Sequence, residues 1–173
     1  VRCWRQYKTD LRLMSEDARF EDGEHKPLNM GAFDTRDLEI VSSLIQDSIL
    51  PASEIKWLAN SYKLTLLINR FRWEDKRLAI SQRRSPERVQ SLLIISNVRA
   101  ISSSGFTPKQ QDKILSILSI TFDGEEGGTG NVLIVLSGNG GIRVKVDALG
   151  INLRDVTMPY IAPSGLSPEH EID

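Results

Sequence analysis

The spacing of hydrophobic residues changes once along the chain, from a helical period to alternation. Between Asp34 and Pro51, apolar side chains recur every three or four positions, at Leu38, Val41, Leu44, Ile45 and Ile49. An aspartate such as Asp34 is a favourable N-cap, and proline interrupts a helix. The spacing therefore predicts an amphipathic helix over residues 35–49, with its apolar stripe on the core.

After Pro51 the apolar positions follow the two-residue period of β-strands. Segments 55–58 and 62–73 flank Asn60-Ser61 and predict a β-hairpin. Other runs predict strands over 89–101, 114–122, 132–136 and 142–148, a short first strand over 28–33 and a short closing helix over 151–156.

The hairpin contains one internal conflict. Leu64, Leu66 and Ile68 share one face, and continued alternation would place Arg70 on that face as well. A charged side chain on an apolar face predicts a bulge near Asn69, or a strand that leaves one sheet for another.

These elements predict an α+β fold. One N-terminal amphipathic helix packs on a curled, mostly antiparallel sheet of five to seven strands, shaped as a barrel or half-barrel. We expect a single domain over 27–158, a disordered N-terminal arm over 1–26 and a flexible C-terminal tail over 159–173, because both ends are polar and highly charged or rich in proline. Met14 is a candidate start of the natural chain.

Composition narrows the chemistry of this domain. Among 173 residues, the histidines, His25 and His170, and the single cysteine, Cys3, all fall in the predicted tails. The predicted domain therefore lacks the side chains for histidine acid–base catalysis, thiol catalysis and the usual zinc or haem sites, and we expect no metal and no cofactor. With no signal peptide and no membrane-spanning apolar run, we expect a cytoplasmic protein that does not bind membranes.

Charge is balanced overall but not locally. The chain has 22 Lys+Arg and 23 Asp+Glu, whereas the segment 69–88 has three acidic residues and seven basic ones: Arg70, Arg72, Lys76, Arg77, Arg83, Arg84 and Arg88. Arginine suits phosphate, and Phe71 and Trp73 offer rings for stacking on bases, so the segment is a candidate nucleic-acid surface. The alternative is a charged loop whose arginines pair with Glu74, Asp75 and Glu87.

Several motifs resemble those of a known family. They are Gln46-Asp47, Ile55–Leu58, the run Leu67–Glu74 with Asn69–Glu74 as its most specific part, Ile117–Phe122 and Val132–Val146. Together they resemble a family of small alphaproteobacterial proteins classed as a domain of unknown function, over about residues 27–158. The resemblance implies the domain limits and a bacterial cytosolic setting; it implies no activity.

Three functions remain open. We expect a non-enzymatic binding or adaptor module with an unknown protein partner, or a homodimer if the sheet exposes apolar surface. The alternatives are an RNA- or DNA-binding module and, least favoured, an enzyme or metal protein that uses only carboxylates such as Asp47 and Glu74. The candidate binding residues are Gln46, Asp47, Asn69, Arg70, Arg72, Trp73, Arg83, Arg84 and Arg88.

Overall fold

The structure, a computed structural model, describes residues 26–107, 109–125 and 127–162. Its two helices are α1 (Thr35–Ile45) and α2 (Lys76–Ser81). Its strands are β1 (Asn29–Ala32), β2 (Ser48–Pro51), β3 (Ile55–Leu58), β4 (Lys63–Phe71), β5 (Glu87–Ile95), β6 (Val98–Ser104), β7 (Ile114–Gly124), β8 (Gly130–Leu136), β9 (Gly140–Val146), β10 (Ile151–Asp155) and β11 (Tyr160–Ile161).

All eleven strands belong to one antiparallel sheet. Its order is β1-β10-β5-β4-β2-β7-β8-β9-β6, while β3 pairs with β4 and β11 pairs with β5. Within the described residues β1 and β6 do not pair with each other, so the sheet is open and has two end strands.

The sheet buries one face against α1. Leu38, Val41 and Ile45 of this helix join the inward side chains of the strands in a single core cluster. The backbone N–H of Ile120 donates to Ser42 Oγ at 3.0 Å, which fixes α1 against β7. We call the covered side the inner face and the opposite side the outer face.

The predicted fold class is wrong. The sequence predicts an α+β fold with one N-terminal amphipathic helix on a barrel-like or half-barrel sheet of five to seven strands, whereas the described residues form an open sheet of eleven strands and two short α-helices. The helix predicted over 35–49 ends at Ile45, because Asp47 takes a left-handed backbone conformation with φ of 58°. The residues after it form β2, which pairs with β7, and Ile49 lies on the outer face.

Two other expectations also change. The closing helix predicted over 151–156 is strand β10, which inserts between β1 and β5. The strand predicted over 89–101 is two strands, β5 and β6, separated at Asn97, where φ is 61°. In contrast, the hairpin predicted from segments 55–58 and 62–73 is confirmed as the β3–β4 pair.

The bulge expected near Asn69 is absent. The register of β4 against β5 runs without a shift from Leu64, opposite Ile95, to Phe71, opposite Arg88. Arg70 therefore stays on the inner face, where its side chain is fully buried. The conflict is resolved by ion pairing rather than by a change of backbone geometry.

The predicted arm and tail lie largely outside the described residues. Residues 1–25 and 163–173, with Cys3, His25 and His170, are among those not described. The domain limits accordingly stay a prediction. Neither described helix has the length and apolar character needed to cross a bilayer.

Candidate functional site

A buried arginine organises one end of the inner face. Arg70 Nη1 and Nη2 donate to the two carboxylate oxygens of Glu74 at 2.8 and 2.7 Å. Its Nε and Nη2 donate to Asp155 at 3.1 and 3.0 Å, and Nε also donates to Ser91 Oγ at 3.0 Å. A fully buried guanidinium is tolerated only when its donors are satisfied in this way. Arg70 therefore holds β4, β5 and β10 together and is not available at the surface.

Asp155 is held ionised by the same contacts. Burial alone would raise its pKa, but hydrogen bonds from Arg70 and from Ser91 Oγ outweigh that effect and leave the pKa below its usual range. The backbone N–H of Leu28 donates to the same carboxylate at 3.0 Å. Burial likewise opposes the charge of Arg70, and its bonds to Glu74 and Asp155 reverse this and raise its pKa. Both groups are therefore charged at neutral pH.

The lowered pKa of Asp155 predicts a loss of stability in acid. Because the folded pKa lies below the unfolded value of about 4, the stabilisation is complete above pH ~4 and disappears as pH falls through the folded pKa. Urea unfolding measured from pH 7 down to pH 2 should show this decline. Asp155→Asn should be less stable at pH 7 and should lose less on acidification. Parallel curves for the two proteins would contradict the assignment.

A second cluster of ion pairs lies at the two ends of the segment that connects β4 to β5 and contains α2. Arg72 pairs with Glu87 and Asp75, and Arg84 donates to the same two carboxylates at 3.1–3.2 Å. Asp75 and Glu87 are mostly shielded from solvent. Their ion pairs connect the two ends of the segment between β4 and β5 that contains α2.

These pairs reduce the positive surface expected for 69–88. Arg70, Arg72 and Arg84 are bound by Glu74, Asp75, Glu87 and Asp155. Lys76 lies over the Trp73 ring at 5.1 Å, and Arg88 lies over the Phe71 ring at 5.9 Å. Arg77 and Arg83 are exposed and have no ion-pair partner in the part of the chain that the structure describes.

Other predicted site residues meet where α1 ends. Trp73 Nε1 donates to the backbone carbonyl of Gln46 at 3.0 Å, and the backbone N–H of Asp47 donates to Ile117 at 2.9 Å. The indole thus satisfies one of the carbonyls left open at the C-terminus of α1. Gln46, Asp47 and Trp73 together set the joint between α1 and β2.

The outer face carries a groove of about 270 Å³ beside this joint. Its lining consists of Ile49, Leu50, Pro51, Glu54, Leu67, Ile68, Asn69, Gln90 and Ile114. The strand register aligns Gln90, Asn69, Ile49 and Ser116 in one row across the outer face. The neighbouring row contains Leu92 and Leu67, with Pro51 opposite Ile114, so the groove has an apolar row beside a more polar one.

The polar row holds an unsatisfied acceptor. Asn69 Oδ1 is buried and has no hydrogen-bond partner among the described residues. A buried amide oxygen without a donor is destabilising, by about 1–3 kcal/mol. The nearby apolar side chains of Ile49 and Ile114 are exposed, the latter by 62 %. The groove therefore offers apolar contact next to an amide oxygen that lacks a hydrogen-bond donor.

The predicted binding residues lie in different parts of the structure. Asn69 lies in the groove, and Arg88 Nη1 donates to its backbone carbonyl at 3.3 Å. Arg83 is exposed in the loop after α2 and joins neither cluster. Sequence reasoning missed Asp155, Ser91, Leu67, Gln90 and Glu54; an outward leucine such as Leu67 inside a strand was the one available signal. Within the described residues, no group of three His, Cys, Asp or Glu side chains could hold a metal ion.

Fold and site together define a mainly β domain with a surface groove beside buried ion pairs. The chain belongs to the family described as Protein of unknown function (DUF2948), whose model matches residues 28–170. The expected membership of an uncharacterised family is confirmed, and the match extends beyond residue 158. No curated protein and no solved structure matches the chain.

Proposed function

We propose that this protein is a non-enzymatic binding module that takes an extended segment of a partner protein into the outer-face groove. The observation that carries this proposal is the unsatisfied Asn69 Oδ1 in an apolar groove. A peptide supplies what the groove lacks, because every non-proline residue brings a backbone N–H donor.

The size of the groove supports a peptide over a small molecule. About 270 Å³ is below the 300–1,000 Å³ typical of small-molecule sites. It suits one or two apolar side chains of a longer segment that continues across the sheet. Leu67 and Ile114 would contact those side chains, and Glu54 and Gln90 would contribute a polar rim.

The charged groups favour binding over catalysis. Glu74 and Asp75, which a carboxylate enzyme would need, pair with arginines. Among the described residues, Glu54 is the one acidic residue that lines the groove. Paired carboxylates lack the separated acid and base roles on which such catalysis depends.

Nucleic-acid binding has less support, since Arg70, Arg72 and Arg84 are committed to carboxylates. A homodimer would use the same outer face as a partner peptide. A cytoplasmic location agrees with all of these possibilities and is part of the proposal.

A charge placed in the groove should weaken peptide binding strongly. Peptides selected from a phage-displayed library against the wild-type chain should lose at least about tenfold in affinity for Leu67→Glu, equal to about 1.4 kcal/mol. Asn69→Ala should weaken the same peptides by a smaller factor, because it removes one hydrogen bond. Fluorescence anisotropy with the selected peptides measures both changes.

Val135→Glu is the matched control, because Val135 is an exposed aliphatic residue on β8 outside the groove. Its affinity for the peptides should equal that of the wild type. Thermal melting of each variant confirms that it is folded. Selected peptides that bind the Leu67 and Val135 variants equally well would overturn the proposal.

A further inference from the structure

Helix α2 and the loop that follows it expose both aliphatic and basic side chains. Leu78 is 52 % exposed and Ile80 67 % exposed, whereas Ala79 between them is buried against the domain. The exposed Arg77 and Arg83 lie in the same short segment between β4 and β5. We call Arg77, Leu78, Ile80 and Arg83 the α2 patch.

Its composition specifies the chemistry of an occupant. Arg77 and Arg83 are the basic residues of segment 69–88 that have neither an ion-pair partner nor a ring contact within the described residues. Leu78 and Ile80 are two large exposed aliphatic side chains on either side of the buried Ala79. Together with the two unneutralised guanidinium groups, they fit a segment that is acidic and carries aliphatic residues.

The chain itself leads to this patch. Strand β11 runs antiparallel to the start of β5, with Tyr160 opposite Arg88 and Ile161 opposite Glu87. This direction carries the chain toward Pro86 and the loop that ends α2. Ala162, the last residue described, is only 3 % exposed, so the chain is still packed on the domain there.

The residues that follow have the required chemistry. Residues 163–173 contain Leu166, Ile172, Glu169, Glu171 and Asp173, and no lysine or arginine. Eleven residues can span up to ~36 Å when extended, several times the ~9 Å length of a six-residue helix.

We propose that the α2 patch is the docking surface for residues 163–173 of the same chain. Their acidic side chains would lie against Arg77 and Arg83, and their aliphatic side chains against Leu78 and Ile80. Exposed ion pairs are individually weak, and a tethered segment compensates through its high effective concentration. Docking is therefore reversible and sensitive to salt. It also makes Arg77 and Arg83 less accessible to other anions.

Paramagnetic relaxation in the full chain tests this proposal. A nitroxide label is placed on Ser167→Cys in a Cys3→Ser background. We expect the amide signals of Leu78 and Ile80 to lose most of their intensity, while those of Val144 on β9 keep theirs. Arg77→Glu with Arg83→Glu should restore the α2 signals, and Leu78→Ser with Ile80→Ser should relieve the broadening at the neighbouring Arg77 and Ser81.

Arg143→Glu with Lys145→Glu is the matched control, because these two exposed cations lie on β9. This variant should leave the intensity loss at α2 unchanged. Equal intensities at α2 and β9 in the labelled chain would overturn the proposal. So would a loss that survives charge reversal at Arg77 and Arg83, or one that grows with protein concentration, which would indicate the tail of another copy.

Discussion

Asp155→Ala should lower the free energy of unfolding by about 3–5 kcal/mol, because it leaves the buried guanidinium of Arg70 with one carboxylate instead of two. Arg70 is fully buried and the Asp155 side chain is 7 % exposed, so water cannot replace the lost partner. Urea unfolding at pH 7 measures the change.

Asp147→Ala provides the control, since Asp147 pairs with Arg99 in an ion pair that is open to solvent. The same substitution there should change stability little, because water replaces the lost contact and screens the remaining charge. Similar losses for Asp155→Ala and Asp147→Ala would contradict the role given to burial.

Phe71→Ala should cost about 3–5 kcal/mol, the range for deleting a large aromatic side chain from a packed interior. Phe71 is buried, and its ring centroid lies 4.8 Å from that of Trp73, whose indole holds the end of α1. The cavity would therefore loosen the joint between α1 and β2 as well as remove apolar contacts. Thermal and urea unfolding give the magnitude.

Phe33→Ala makes the same chemical change at a residue that is 71 % exposed. Little apolar surface returns to water there, so the stability should stay close to that of the wild type. A loss at Phe33 as large as that at Phe71 would show that the packing around Phe71 is not what stabilises this end of the sheet.

Local pattern predicted some elements well and others badly. The β3–β4 hairpin depends on the alternation of apolar and polar residues and on a nearby turn, and both can be recognised within a short stretch of sequence. The helical spacing continues to Ile49, yet Ser48–Pro51 form strand β2 because Asp47 turns the backbone and β7 supplies the hydrogen-bonding partner. That partner is distant in sequence, so periodicity alone could not predict the strand.

The candidate site also depends on contacts between residues that are distant in sequence, which local patterns do not predict. A charged residue in line with Leu64, Leu66 and Ile68 favoured a bulge, and nothing nearby indicated that a carboxylate 85 residues further along would neutralise it. The groove depends on which outward side chains become neighbours across β5, β4, β2 and β7, a register that only the folded sheet defines. The sequence motif predicts Asn69 as a binding residue, whereas its unsatisfied oxygen is visible only in the folded structure.

The position of β10 has a consequence for protein synthesis. Among the described strands, β1 pairs with β10 alone, and β10 supplies Asp155, one of the two carboxylates that neutralise Arg70. A ribosome must therefore release residue 155 before β1 can join the sheet or Arg70 can gain its second carboxylate. The strands β7, β8 and β9 follow one another and pair in sequence, so they can form earlier. Nascent chains that end before β10 should consequently expose the unpaired edge of β5 and depend on chaperones until translation is complete.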